Sequence, residues 1–162
     1  MAWAAPLVSI LMSRCGPHPT NSSIETLTVY QDAPTLNPLD LGPPGKSPGD
    51  AYCFSAPLHS SPGGPVTSDV FGSKTVIKVA AEANANSEKR ATLLVFTFGD
   101  GQDQIIAFGA VDYPPTAAEF NAGQPVVRAI LGGTGKYIGA RGQLTSTRNT
   151  DGSCKQVFAL VR

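Results

Sequence analysis

The sequence predicts an all-β domain, an eight-stranded antiparallel β-barrel, from two observations. First, about eight short runs rich in β-branched and aromatic residues follow one another, and such runs are typical of strands. Second, 17 of the 162 residues are glycine and 14 are proline, and no segment after residue 22 shows a convincing helical period. Many short strands separated by turns form a sandwich or a barrel. A closed barrel has no exposed edges and can hold one small ligand inside.

The strand pattern begins at residues 24–30, which read IETLTVY. The remaining predicted strands span residues 51–58, 66–73, 75–80, 91–98, 104–111, 125–131, 143–148 and 155–161. Residues 32–50 are rich in proline and glycine, and proline lacks the N–H group that a helix or a central strand needs. This segment is therefore predicted to be a long loop at one end of the barrel. A second proline-bearing connection covers residues 112–124.

The bulk composition excludes several functions. Twelve basic residues balance twelve acidic ones, so the chain has no electrostatic footprint for nucleic acid or an anionic membrane. No apolar stretch approaches the roughly 20 residues of a membrane-spanning helix. Cys15, Cys53 and Cys154 fit no zinc pattern, and His18 and His59 have no acidic or cysteine neighbours, so we expect no metal. A Cys53–Cys154 disulfide stays open beside the simpler interpretation of free, buried thiols.

The first 22 residues are predicted to be a leader or flexible segment, followed by a single barrel domain over residues 23–162. A secretory signal has a positively charged region ahead of its apolar run. Here no Lys or Arg precedes Arg14, and the apolar run is short and broken by Pro6. These features favour the cytoplasm over secretion, with a cleaved signal and a lid over the barrel mouth as the alternatives.

One segment near the C-terminus resembles a known family. Residues 130–143 read ILGGTGKYIGARGQ. This is similar to the GGTG-x-aromatic-x-x-ARG segment of plant dirigent proteins and to the GGSG-x-aromatic-x-G segment of allene oxide cyclases. The glycines permit positive φ and close backbone approach. Because the segment lacks the strand–loop–helix context of a dinucleotide site, we interpret it as a structural turn rather than a phosphate site.

Three shorter segments agree with this resemblance in the same order along the chain. Residues 47–54 (SPGDAYCF) resemble the family's G-D-x-x-x-F segment, residues 96–101 (FTFGDG) the cyclases' F-x-F-G-D turn, and residues 106–109 (IAFG) a strand that ends in aliphatic-x-x-G. The resemblance covers residues 24–161. It implies a calycin-type barrel of the dirigent/allene-oxide-cyclase kind, which is usually trimeric in plants.

The resemblance also implies a class of chemistry. Allene oxide cyclases close a cyclopentenone ring from an unstable epoxide, dirigent proteins orient phenoxy radicals or quinone methides, and bacterial relatives catalyse intramolecular Diels–Alder-type additions. None of these reactions needs a metal or organic cofactor. We therefore predict a cofactor-free cyclase or isomerase that acts on a small, largely apolar biosynthetic intermediate as a homotrimer or homodimer. Two alternatives remain: dirigent-type stereocontrol coupled to an upstream oxidase, and a lipocalin-like binding protein.

The candidate catalytic residues come from the dirigent resemblance. Tyr30-Gln31-Asp32 resembles the aromatic-His-Asp that ends the first dirigent strand, which makes Asp32 the candidate general acid/base. Arg141 matches the arginine of the ARG segment. Gln31 stands where allene oxide cyclases have an acid, and Ala33 and Ala56 stand where they have asparagines, which argues against allene oxide cyclase activity itself. Lys136 stands where an acid often follows GGTG in the dirigent pattern.

Strand residues supply the candidate substrate-binding set. They are Tyr30, Gln31, Tyr52, Phe54, Phe98 and Phe108. Strand alternation puts Tyr30 and Asp32 on one face and Gln31 on the other, but the sequence does not give the barrel register. The competing interpretations are structural: Asp32 caps a turn, Arg141 pairs with a carboxylate at the rim, and the aromatic side chains pack in the core.

Overall fold

A computed structural model describes residues 23–79, 87–115 and 117–161, and the predicted leader over residues 1–22 lies outside them. The described chain forms nine strands and one short 3-10 turn. In chain order they are β1 (Ile24–Gln31), β2 (Thr35–Leu39), β3 (Ala51–His59), β4 (Val66–Lys78), β5 (Glu88–Phe98), β6 (Asp103–Tyr113), β7 (Pro125–Thr134), the 3-10 turn (Gly135–Tyr137), β8 (Arg141–Arg148) and β9 (Cys154–Val161).

Eight of these strands close into a cylinder, and all their pairings are antiparallel. The strand order is β1-β9-β8-β7-β6-β5-β4-β3, and β1 then pairs with β3 through Tyr30↔His59 and Gln31↔Leu58. The ninth strand, β2, adds to the outer edge of β3. The predicted eight-stranded antiparallel barrel is therefore confirmed. Within the described residues there is no α-helix, and none long and apolar enough to cross a membrane.

Two elements differ from the sequence-based expectation. Strand β2 lies inside the predicted loop over residues 32–50 and pairs with β3 from Thr35↔Ser55 to Leu39↔Ala51. Its Pro38 is tolerated because β2 is an edge strand, where a residue without a backbone N–H can face away from the neighbouring strand. Strand β4 is continuous over Val66–Lys78, where two separate runs were expected.

The barrel interior changes from charged to apolar along its axis. On β5 the inward positions are Glu88, Arg90 and Thr92 at one end, and Leu94, Phe96 and Phe98 at the other. At the apolar end, the Phe96 and Phe158 rings meet edge to face with centroids 4.8 Å apart. The opposite end, hereafter the polar end, contains the inward side chains of Gln31, Lys74, Glu88, Arg90, Thr92, Tyr113, Arg128, Ser146 and Gln156.

The glycine-rich segment forms the connection from β7 to β8. A Cβ on Gly133 would lie 2.4 Å from the Gln104 carbonyl oxygen, so this crossing needs glycine. The Asp103 carboxylate accepts a hydrogen bond from the Lys136 backbone N–H at 2.9 Å and pairs with its ammonium at 3.1 Å. Because a carboxylate of the protein already occupies the turn, the segment acts as a structural connection.

One glycine allows an aromatic ring to enter the barrel. A Cβ on Gly72 would lie 2.5 Å from Cζ of Phe54 and 2.7 Å from the carbonyl oxygen of Leu93. Neither atom can yield easily, since one belongs to a packed ring and the other to the backbone of β5.

We expect Gly72→Ala to lower the free energy of unfolding by about 1–3 kcal/mol, because it overpacks the interior. Gly132→Ala is the matched control, since a Cβ there meets no atom within 4 Å, and its effect should stay within about 0.5 kcal/mol. Urea-unfolding curves of the two variants measure the difference. Equal effects would contradict this account of Phe54 packing.

Candidate functional site

Four of the sequence-predicted site residues point into the barrel. Gln31 is buried at the polar end, and Phe54 is buried in the apolar core beside it. The Tyr52 ring lies 4.5 Å from the guanidinium carbon of Arg90. Phe98 lies at the far, apolar end, where its ring packs against Tyr137 at 5.2 Å.

The other four lie on the outer surface. Val29 and Gln31 face inward on β1, so strand alternation turns Tyr30 and Asp32 outward. On β6 and β8 the same alternation leaves Phe108 43% exposed and Arg141 exposed. The structure therefore does not bring the two candidate catalytic residues, Asp32 and Arg141, to the interior.

Asp32 instead belongs to a surface ion pair. Its Oδ1 lies 3.1 Å from Nε2 of His59, and Nδ1 of His59 lies 2.7 Å from the Gly64 carbonyl oxygen. Both ring nitrogens thus face oxygen atoms, which favours the doubly protonated imidazolium. The Asp32 carboxylate is the main cause that raises the pKa of His59 above 6.5, while burial opposes it and the Gly64 carbonyl adds to it.

An open cleft lies beside this ion pair on the outer wall. Its volume is about 310 Å³, and its lining includes Tyr30, Asp32, His59, Asn149 and Asp151. Gln31 and Cys154 line both this cleft and the interior cavity at the polar end. They form the wall between the two spaces.

The central feature of the polar end is a buried lysine. Lys74 on β4 is only 3% exposed, and its ammonium forms an ion pair with the Glu119 carboxylate. The same ammonium lies 4.7 Å from the centroid of the Phe54 ring. Burial is the main effect on Lys74 and lowers its pKa, and Glu119 opposes that shift. The pair is thus a proton donor and acceptor in a nearly dry environment.

A second buried cation fixes the segment that carries Glu119. Arg90 pairs with Glu88 and donates hydrogen bonds to the carbonyl oxygens of Ala118 and Ala117, each at 2.8 Å. Lys46, from the loop after β2, reaches the same segment, since its ammonium lies 2.9 Å from Oε2 of Glu88 and donates to the Pro115 carbonyl at 2.6 Å. Glu119 and its neighbour Phe120 are therefore held in the barrel mouth. Hereafter residues 117–120 are called the plug.

The third buried cation, Arg128, is 3% exposed and starts a chain of hydrogen bonds around the barrel. It donates to Oγ of Ser146 at 3.1 Å, Ser146 donates to Oε1 of Gln156 at 2.6 Å, and Gln156 donates to Oε1 of Gln31 at 2.8 Å. Its Nε has no hydrogen-bond partner, and no carboxylate of the described residues forms an ion pair with it. Burial lowers the pKa of Arg128. An unpaired buried charge is costly, which marks this group as a candidate for binding.

Little free space remains between these groups. The cavity at the polar end, lined by Phe54, Lys74, Glu119, Phe120 and Arg128 among others, has about 20 Å³ of free volume, room for one water. Pockets for organic ligands have roughly 300–1,000 Å³. The closed cavity is therefore too small for such a ligand, and two residues of its lining, Glu119 and Phe120, belong to a connection rather than to a strand.

The described residues show no group of three side chains that could hold a metal ion. Cys53 on β3 is exposed and Cys154 is buried, and both are free thiols. Burial is the main effect that raises the pKa of Cys154 to about 11, so its sulfur stays protonated at neutral pH. Neither cysteine therefore supplies a thiolate nucleophile inside the barrel.

Sequence reasoning missed the charged residues of the interior. A usable signal existed on the strands, because Arg90 shares the parity of Leu94 and Phe96, Lys74 that of Val76, and Arg128 that of Ile130. A charged residue that stands at an inward position of an otherwise apolar strand pattern is predicted to be buried. Glu119 gave no such signal, since it lies in a connection without periodicity.

We expect Asp32→Asn to lower the pKa of His59, because the carboxylate that stabilises the imidazolium is removed. The raised pKa stabilises the fold below pH 6.5, and this contribution is lost as the pH rises through the folded-state pKa. The destabilisation by Asp32→Asn should therefore be larger in acid than in alkali. NMR titration of His59 in a His18→Gln background measures the pKa, with Asp69→Asn as the control. An unchanged pKa in Asp32→Asn would contradict the ion pair.

Comparison with known proteins places this geometry among barrels of solved structure. No protein-family model matches the chain, and no curated protein matches it at a significant level. Three similar structures are a pyocyanin demethylase, the exo-specific intermolecular Diels-Alderase AbnU, and the pterocarpan synthase dirigent protein GePTS1.

The demethylase has a TM-score of 0.65 and 23% identity, over 84% of this chain and 99% of its own. The Diels-Alderase has a TM-score of 0.60 and 13% identity, over 86% and 99%. The dirigent protein has a TM-score of 0.56 and 16% identity, over 98% and 97%. Likeness at these identities concerns architecture. The chain therefore has the barrel fold that dirigent proteins and Diels-Alderase cyclases share.

Proposed function

We propose that the protein is a cofactor-free cyclase or isomerase that binds a small, largely apolar biosynthetic intermediate at the polar end of its barrel and steers ring closure. The observation that carries this proposal is a pair of buried cations, Lys74 and Arg128, beside the partly buried Glu119 in a cylinder whose other end is apolar. Charges are expensive to bury, and arrangements of this kind cluster at functional sites.

The side chains around the cavity have complementary tasks. Phe54, Leu94 and Phe120 provide apolar walls for the body of the substrate. Lys74 donates a hydrogen bond to a carbonyl oxygen and withdraws electron density from a conjugated system attached to it, which favours cyclisation. Glu119 keeps the Lys74 ammonium charged and in place while the cavity holds no substrate. Holding one reactive conformer supplies roughly 7–11 kcal/mol in favourable cases, and this requires no metal or organic cofactor.

The plug gives the substrate its entry. Its anchors are the hydrogen bonds from Arg90 to the carbonyl oxygens of residues 117 and 118, together with the Lys74–Glu119 ion pair. Lys46 binds the Pro115 carbonyl just ahead of the plug. Opening breaks these anchors and frees the space that Phe120 fills, while the strands stay paired. Closure over the substrate excludes water from the reacting atoms.

The structural neighbours support two versions of this proposal. The Diels-Alderase likeness favours ring closure by the barrel itself. The dirigent likeness, which extends over 98% of this chain, favours the second candidate, in which the barrel orients a phenolic radical that an upstream oxidase supplies. Both versions place a small organic molecule in the interior.

We expect the neutral fluorophore N-phenylnaphthylamine to bind Phe120→Ala at least about tenfold more tightly than wild type, because the substitution removes the ring that fills the cavity. Phe71→Ala is the matched control on the outer face of β4, where Phe71 is 49% exposed. Fluorescence titration measures both affinities. If Phe71→Ala weakened the binding of the probe and Phe120→Ala left it unchanged, the probe would lie on the outer wall. This result would contradict an interior site.

Lys74→Met should lower turnover of a tethered diene–enone by about 10²-fold, since the hydrogen bond to the developing negative charge is lost. Lys155→Met is the control, because Lys155 is an exposed lysine on β9. Chiral chromatography of the product measures rate and stereochemistry. Full activity of Lys74→Met would remove the lysine from the mechanism. Stereocontrol that appears only with a phenol and a laccase would favour the dirigent alternative.

A further inference from the structure

The ionic balance of the polar end depends on one side chain of the plug. Glu88 is neutralised by Arg90 and by Lys46. Lys74 forms its ion pair with Glu119, and Arg128 forms no ion pair with a carboxylate of the described residues, although Glu119 acts on its charge from a distance. When the plug leaves, two buried cations face the cavity with no anion beside them.

Glu119 reaches this place from outside the barrel wall. It belongs to the connection between β6 and β7 rather than to a strand, and its side chain remains 15% exposed at the mouth. Phe120 follows it directly, is 5% exposed, and packs edge to face on Tyr113 at 6.2 Å. The plug thus presents a carboxylate and an aromatic ring side by side to Lys74 and Arg128.

Arg128 adds an independent observation. The residue is 3% exposed and lines the same cavity, and its Nε has no hydrogen-bond partner although Ser146 accepts a bond from another nitrogen. A guanidinium has five N–H donors in a planar fork that suits carboxylates. Since Arg128 lines the cavity, it offers a second place where an anionic oxygen group can bind.

We infer that the ligand of the barrel interior carries an anionic oxygen group, such as a carboxylate or an enolate, next to a planar apolar body, and that Glu119 occupies its anion subsite while the barrel is closed. The inference rests on the proposed function, because it assigns the substrate class of that same site. A neutral ligand that displaced Glu119 would leave Lys74 and Arg128 uncompensated. An acidic ligand replaces one carboxylate by another and keeps the charge balance.

The test compares naphthoate with naphthamide, which share their aromatic body and differ in charge. Glu119→Gln should bind naphthoate at least about tenfold more tightly than wild type does, while its affinity for naphthamide changes by less than about threefold. Arg128→Met in the Glu119→Gln background should abolish the gain. Glu25→Gln, at an exposed glutamate of β1, is the control. Isothermal titration calorimetry measures the wild type and these three variants.

Phe120→Ala provides a second line of evidence should Glu119→Gln fail to fold. This variant opens the cavity and keeps the Glu119 carboxylate, so it should prefer naphthamide to naphthoate, the reverse of the order in Glu119→Gln. Equal binding of both compounds to Glu119→Gln, or a preference of Phe120→Ala for naphthoate, would overturn the anion subsite and leave the interior site standing. Failure of Phe120→Ala to bind either compound or N-phenylnaphthylamine would overturn the proposed function as well.

Discussion

Closure of the cylinder between β1 and β3 is the constraint on which the rest of the structure depends. Only two residue pairs join these strands, Tyr30↔His59 and Gln31↔Leu58, and one further hydrogen bond runs from the Asp32 N–H to the Pro57 carbonyl at 3.1 Å. Every other neighbouring pair in the wall has a longer ladder. The short junction nevertheless pairs the facing edges of β1 and β3 and separates the interior from water. Charges inside the barrel interact strongly for that reason.

The same eight strands enclose an apolar end and a polar end. The apolar end, with Phe96, Phe158 and Leu144 fully buried, stabilises the fold through the burial of apolar surface. The polar end opposes this stabilisation, because Lys74 and Arg128 lose hydration that the protein only partly replaces. Because the two ends are separate, the packed apolar end stabilises the barrel while the charged side chains of the polar end remain available to a ligand.

The sequence predicted the fold better than the site. Alternating runs such as residues 91–98 identify strands because a barrel wall has one wet and one dry face, and this physical rule holds without tertiary information. Register is different: whether Asp32 or Gln31 faces inward depends on how β1 meets β3 and β9, which are distant in sequence. Resemblance therefore selected Asp32, while parity with neighbouring core residues could have selected Lys74 and Arg90. Glu119 acts through its place in a connection, and no local pattern encodes that place.

The hydrogen bonds from Arg128 through Ser146 and Gln156 to Gln31 have a fixed direction. A guanidinium can only donate, so the hydroxyl of Ser146 must turn its proton to Gln156, and both glutamine amides are then oriented. The side-chain dipoles of Ser146, Gln156 and Gln31, on three adjacent strands, therefore add head to tail. The amide of Gln31, in one of the two residue pairs that close the barrel, thus takes its orientation from a charge on β7, three strands away.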